Sequence, residues 1–235
     1  MADLEGQWGP ALDTLREWDP AWGTTCHAMS VHPWRTGVLD DRFLALVCVA
    51  LSVACTNLDE AAARRHIRAA LDAGASRDDI LFVIKCACVV SVHSMSVGAP
   101  ILMSELGGDV TGDQEAKTPA TPSCDAVRAA DQWNDAWNPF LELDPAWTDG
   151  FMAMGLGIYA TDLFSPKEIE LLSIALDATV THLYSPGVLR HIHAALAAGA
   201  SQAEILAVLQ LCVGQGIQSA NLAIPILADE LSRSQ

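Results

Sequence analysis

The chain has 235 residues, 51% of them hydrophobic and only 18% charged, with a mean hydropathy of +0.26 and a formal net charge of −16 at pH 7. This is too apolar for a disordered chain, and its excess of acid repels nucleic acid and anionic membrane surfaces. The seven cysteines form no CxxC, and the polar, acidic start does not read as a signal peptide, so a reduced, cytoplasmic protein is expected. The apolar run Phe43–Cys55 is too short to span a bilayer, and the next one, Ile80–Met103, is interrupted by Lys85, His93 and Pro100.

Taken in order, the first half reads as helices throughout. An opening helix runs from Trp8 to Trp18, and Asp19-Pro20 starts a second, with Asp as N-cap and Pro at the first helical position. Asp40-Asp41 leads into an apolar helix, Arg42–Leu58. The next helix carries Arg65 and His66 and stops at Gly74, where a C-terminal glycine ends helices without steric cost. Ser76, with Asp79 three residues on, caps a long apolar helix through Val97, and Pro100 begins or kinks its final turn. The stretch from Gly107 to Ala130 holds Thr-Pro pairs and few large apolar residues, and reads as an exposed linker.

The second half repeats the first at a constant offset of 125 residues, without a gap. Asp19-Pro20-Ala21-Trp22 recurs as Asp144-Pro145-Ala146-Trp147, Arg65-His66-Ile67 as Arg190-His191-Ile192, Ala73-Gly74-Ala75-Ser76 as Ala198-Gly199-Ala200-Ser201, and Pro100-Ile101-Leu102 as Pro225-Ile226-Leu227. No alternating strand pattern occurs. The expected architecture is all-α: a helical repeat over residues 1–106, a linker over 107–130 and a second helical repeat over 131–235.

Polar residues shared by the copies, or confined to one, are the candidates for chemistry. His66 and His191 follow Arg65 and Arg190 in helices that are otherwise Ala, Leu and Ile; each reads either as a histidine satisfied in a helix interface or as an acid/base. Glu168 and Glu170 are two apart on one helix, so one faces solvent and the other points inward. The second copy adds Glu170, His182, Tyr184 and His193 where the first has Ala45, Asn57, Asp59 and Arg68, while the first has His93 where the second has Gln218. His191 and His193 are two apart on a helix and cannot chelate one ion, so no metal is expected. Cys86 and Cys88 lie in an apolar helix and read as small hydrophobes, with a thiol redox role as an alternative.

The text PGVLRHIHAALAAGASQAEILAVLQL with GIQSANLAIPILADEL, and RRHIRAALDAGASRDDILFVIK with VGAPILMSEL before it, resembles the carboxymuconolactone decarboxylase family, which shares its fold with the alkylhydroperoxidase AhpD. The resemblance covers roughly residues 40–106 and 165–231. It implies helical units assembled as trimers or hexamers, so that three tandem chains would form a homotrimer imitating a hexamer. Peroxidase members carry a CxxC followed by a His, with a Glu one helix earlier. His191 and Glu170 match the last two, but Tyr184 and Gly187 stand at the cysteine positions, with Asp59 and Ala62 in the first copy, which excludes AhpD-type peroxide reduction. Decarboxylase members need no cofactor and act on a small lactone acid.

The reading that follows is a cofactor-independent carboxy-lyase for a small carboxylated lactone or an aromatic-catabolism intermediate. His191, Glu170, Arg190 and His66 are its expected catalytic residues, and Tyr184, His182, His193, Arg65 and His93 its expected substrate-binding residues. A protein of the same fold that binds small molecules or assembles without catalysis is the alternative.

Overall fold

Capping residues 125 positions apart start the same helices twice. The computed structural model describes residues 5–107, 119–130 and 133–234, and among them every regular element is helical. The first half holds α1 (Ala11–Trp18), α2 (Pro20–Ser30), α3 (His32–Thr36), α4 (Asp41–Val53), α5 (Glu60–Asp72), α6 (Arg77–Val89) and α7 (His93–Glu105). The second holds α8 (Pro122–Ala129), α9 (Asn138–Leu143), α10 (Pro145–Tyr159), α11 (Pro166–Ala178), α12 (Ser185–Ala197), α13 (Gln202–Gly214) and α14 (Ile217–Arg233). The bounds of α4, α5 and α6 recur at the 125-residue offset in α11, α12 and α13.

Local chemistry accounts for the match. Asp19 and Asp144 accept the backbone N–H three residues on, at Trp22 and Trp147, each at 3.0 Å. Ser165 with Glu168, and Ser201 with Glu204, form complete capping boxes at the starts of α11 and α13. The starts of neighbouring helices are tied by one ion pair in each copy, Arg42–Asp79 at 2.8 Å and Lys167–Glu204 at 2.7 Å. Gly74 and Gly199 end α5 and α12 at φ +91° and +87°, where no atom crowds a Cβ and the backbone angle itself calls for glycine. Leu58 and Leu183, one turn before α5 and α12, also hold positive φ, +47° and +51°.

Two sequence expectations need correction. The long last helix of each copy breaks before its proline: a 3-10 turn at Val90–Val92 precedes α7, Gln215 and Gly216 precede α14, and Pro100 and Pro225 ride inside the helices. The expected linker holds α8. Pro122 sits in its first turn, the Asp149 carboxylate accepts the Ser123 and Cys124 N–H groups at 2.7 and 3.0 Å, and Cys124 and Val127 are buried one turn apart. Tertiary capping and burial thus outweigh a Pro/Thr-rich composition. Residues 108–118 of that stretch lie outside the described residues.

Two compact units cut across the repeats, one of Met1–Cys88 with Leu163–Gln235 and one of Val89–Asp162. In the first, α4 and α11 are buried almost all round, with Leu44, Leu46, Val47, Leu171, Leu172 and Ile174 inaccessible to solvent. Each fully buried side chain of this kind contributes about 1.5–3 kcal/mol. α4 packs on α5, α11 on α12 and α13, and α4 on α11. α1 of the first repeat packs on α14 of the second, through Trp8, Leu12 and Ile217. In the other unit, α9 of the second repeat packs on α7 of the first, through Phe140, Val92 and Ala99. Each repeat's opening helix therefore closes against the other repeat's last helix, and this exchange is why the units do not follow the chain order.

The runs Arg77–Glu105 and Gln202–Arg233 are long and apolar enough to cross a membrane by length and composition alone. Lys85, His93 and Pro100 do not end the first run. Only 28% of the most apolar window is buried in each.

Candidate active site

The turn between α11 and α12 is tied down on both sides. Gln215 accepts from the Thr179 hydroxyl at 2.7 Å and the Val180 N–H at 3.2 Å, and donates to the Leu51 carbonyl at 3.3 Å. Leu183, in its left-handed conformation, returns its N–H to the Thr179 carbonyl, and the Tyr184 N–H donates to the Asp177 carbonyl at 2.9 Å. α12 then lies along α11 and buries Gly187, His191 and Ala195, four residues apart on one face. α11 presents Glu170 and Asp177 to that face, seven residues apart and both buried.

His191 sits between these groups. Its Nδ1 is 2.5 Å from Glu170 Oε2, and Arg190 Nη2 lies 2.7 Å from its Nε2. The guanidinium can only donate, so Nε2 is the acceptor and Nδ1–H donates to Glu170. Asp177 Oδ2 is 3.6 Å from the same Nε2, beyond hydrogen-bond length. Burial lowers the His191 pKa, the Glu170 hydrogen bond works against that, and Arg190 adds to it, so the imidazole is neutral at pH 7. Burial raises Asp177 to about 7, with Arg190 pulling down and Glu170 pushing up.

Glu168 caps α11 while Glu170 points inward, as the spacing indicates. His182 and Tyr184 are half-buried with ring centroids 6.0 Å apart, and burial lowers the His182 pKa. His193 is exposed on the outer face of α12, away from the buried stripe that carries His191. His93 is half-buried at the start of α7, in the Val89–Asp162 unit.

In the first copy, Ala45 and Ser52 stand in place of Glu170 and Asp177. The Ser52 hydroxyl donates to the Cys48 carbonyl at 2.7 Å and lies 2.8 Å from His66 Nδ1. Arg65 turns away from His66 and donates to Gln218 at 2.8 Å. Burial, reinforced by Arg65, lowers the His66 pKa to about 4. His66 is thus a neutral, buried histidine without a carboxylate among the hydrogen-bond partners described for it. Burial also drives the Cys86 and Cys212 thiols up to about 12 and Cys48 higher still, which suits packing and opposes thiolate chemistry.

Asp177 is not among the residues expected from the sequence. Its signal is present there: an acid in the apolar helix Ile174-Ala175-Leu176, two turns from Glu170 on the same face, with Ser52 at the matching position.

Fold and site together define an all-helical tandem-repeat protein with a buried histidine–carboxylate centre in its second half and no cysteine pair beside it. The model of the carboxymuconolactone decarboxylase family matches residues 145–229. A crystal structure from Burkholderia xenovorans LB400, of a protein described provisionally as a gamma-carboxymuconolactone decarboxylase subunit, superposes with a TM-score of 0.87 at 30% identity, covering 98% of this chain and 94% of that one. The chain belongs to the carboxymuconolactone decarboxylase family. No curated protein matches it in sequence.

Proposed function

We propose that the protein is a cofactor-independent carboxy-lyase for a small carboxylated lactone or a related intermediate of aromatic-compound breakdown, with one site per chain, in the second repeat. The observation that carries this reading is the buried Glu170–His191 pair with Arg190 across the free ring nitrogen. An incoming substrate carboxylate competes for the Arg190 guanidinium and, in binding it, uncovers Nε2. Glu170 holds the ring in the Nδ1–H tautomer and stabilises the imidazolium that forms when Nε2 takes up a proton from water. As the C–C bond to the departing CO2 breaks, its electron pair passes into the conjugated carbonyl as an enolate, and Nε2–H returns a proton to the carbanion carbon. Tyr184 and His182, at the entry to α12, flank the substrate.

Three chains assembling as a homotrimer would cover the apolar surface repeated in both halves. Val97, Ile101, Leu102 and Leu106 are exposed in the first copy, and Leu222, Ile226, Leu227 and Leu231, their counterparts, in the second. The relative from Burkholderia is itself described as a subunit. Burial in such an assembly would also account for the two long apolar helical runs without a membrane.

The test is a screen of ring-cleavage-derived lactone acids and β-keto acids for CO2 release, with His191→Ala and His66→Ala as controls. Turnover that His191→Ala abolishes and His66→Ala retains is the expected result, and full activity in His191→Ala sinks the assignment.

A further inference from the structure

We propose that Asp177 is a positioning residue of this site: its carboxylate takes the space a side chain at position 187 would fill, and from there it receives the Nε2 proton of His191 in a hydrogen bond when Arg190 leaves that atom. This rests on the reading of His191 as the acid/base.

A Cβ built on Gly187 would lie 2.8 Å from Asp177 Cγ and 2.8 Å from Tyr184 Cδ1, and closer still to Asp177 Oδ2. Real Cβ contacts do not occur at such distances, and a carboxylate enclosed as fully as this one, 1% exposed, has nowhere to withdraw. The first repeat makes the complementary choice on the same scaffold. It has Ala62 at the position of Gly187 and Ser52 at that of Asp177, so a Cβ is present where the acid is missing. Acid and glycine therefore come as a pair, and only the copy with Glu170 has them.

Nδ1–H is committed to Glu170, so a proton gained by His191 goes onto Nε2. Protonation ends the Arg190 hydrogen bond, because guanidinium and N–H are both donors. Asp177 Oδ2, at 3.6 Å, is then the nearby acceptor, and a closure of about 0.5 Å makes the bond. The titratable and charged groups facing Asp177 include His191 and Arg190 on α12, Glu170 on its own helix, and His182 in the turn, with a ring nitrogen within 4.8 Å. The only transfer is of one proton, from substrate or water to Nε2, and Asp177 stabilises the cation that results.

The test uses the intact protein and nitrogen-detected NMR titration of the imidazoles, which needs no substrate. Asp177→Ser/Gly187→Ala installs the pair that the first repeat already accommodates. Asp177 and His191 titrate as a coupled pair, so the His191 midpoint falls when this acid is removed, while the His66 midpoint in the same spectra stays put. Asp177→Asn, which keeps the volume, gives the same direction. An unmoved His191 midpoint in both variants overturns the electrostatic role. For the shared space, Gly187→Ala alone lowers the melting temperature and Asp177→Ser restores most of the loss; strictly additive effects overturn that part. If the midpoint shifts as stated but no lactone or keto acid loses CO2, the proposed function fails and the role of Asp177 stands.

Discussion

Thr56 and Thr181 share a hydrogen bond at 2.8 Å between their Oγ1 atoms, and they are the same residue of the two repeats, 125 positions apart. A residue that meets its own counterpart lies on a local two-fold axis, as at an isologous dimer interface. The packing of α4 on α11, again counterparts, fits the same axis. The chain thus behaves at this point like a homodimer fused end to end, and each half is free to keep the scaffold while changing its chemistry.

That freedom has been used at the buried histidines. His191→Ala is expected to lower turnover of the responsive substrate by about 10²–10⁴-fold, the usual worth of a positioned acid/base, with the oligomer unchanged by size-exclusion chromatography. His66→Ala is expected to keep turnover within a few-fold and to lose stability instead. Equal losses of turnover in the two variants would argue against a single site.

Glu170→Gln keeps the shape of the Nδ1 contact and removes its charge. The hydrogen bond from Glu170 raises the His191 pKa against burial, so the variant should titrate lower than the parent. kcat should fall with little change in KM, because substrate capture is assigned to Arg190. Arg190→Lys should raise KM, since a lysine cannot reproduce a bidentate grip on a carboxylate.

Stability should depend on pH through two buried groups of opposite sign. Asp177 is raised to about 7 when folded, so its contribution is present in full below its unfolded pKa near 4 and is lost as pH rises to 7. His66 is lowered to about 4, so its contribution is present above its unfolded value of 6.5 and is lost as pH falls toward 4. At full extent each is worth about 3–4 kcal/mol. Urea midpoints should therefore show Asp177→Asn more stable than the parent at pH 8, with the gap closing by pH 4. His66→Gln should flatten the loss of stability between pH 6.5 and pH 4.

The exposed apolar residues of α14 give a test of assembly. Ile226→Glu/Leu227→Glu places two charges on a surface that the trimer would bury, and light scattering should then report single chains where the parent gives three. A parent that is monomeric at micromolar concentration would remove the trimer.

Much of the fold is legible because its signals are local. Asp19-Pro20, Asp144-Pro145, Ser165 with Glu168 and Ser201 with Glu204 each specify a helix start within four residues, and all four act as caps in the structure. The helix break before Pro100 is less legible, because Val90–Val92 carry no breaker and a proline by itself does not say on which side of it a helix is interrupted, whereas Gly214 and Gly216 mark the break before α14. α8 is hidden for another reason: its N-terminal cap is Asp149, more than twenty residues away.

The sequence by itself determined the helical class, the duplication and the family, since periodicity, caps and repeat offset are read along the chain. Only the tertiary structure decided that Arg190 covers His191 while Arg65 leaves His66, that Asp177 stands where Gly187 has no side chain, and that the opening helices close against the opposite repeat. These depend on distances between residues far apart in the chain, and on burial, which decides whether a carboxylate is a solvated surface charge or a group that titrates near neutrality.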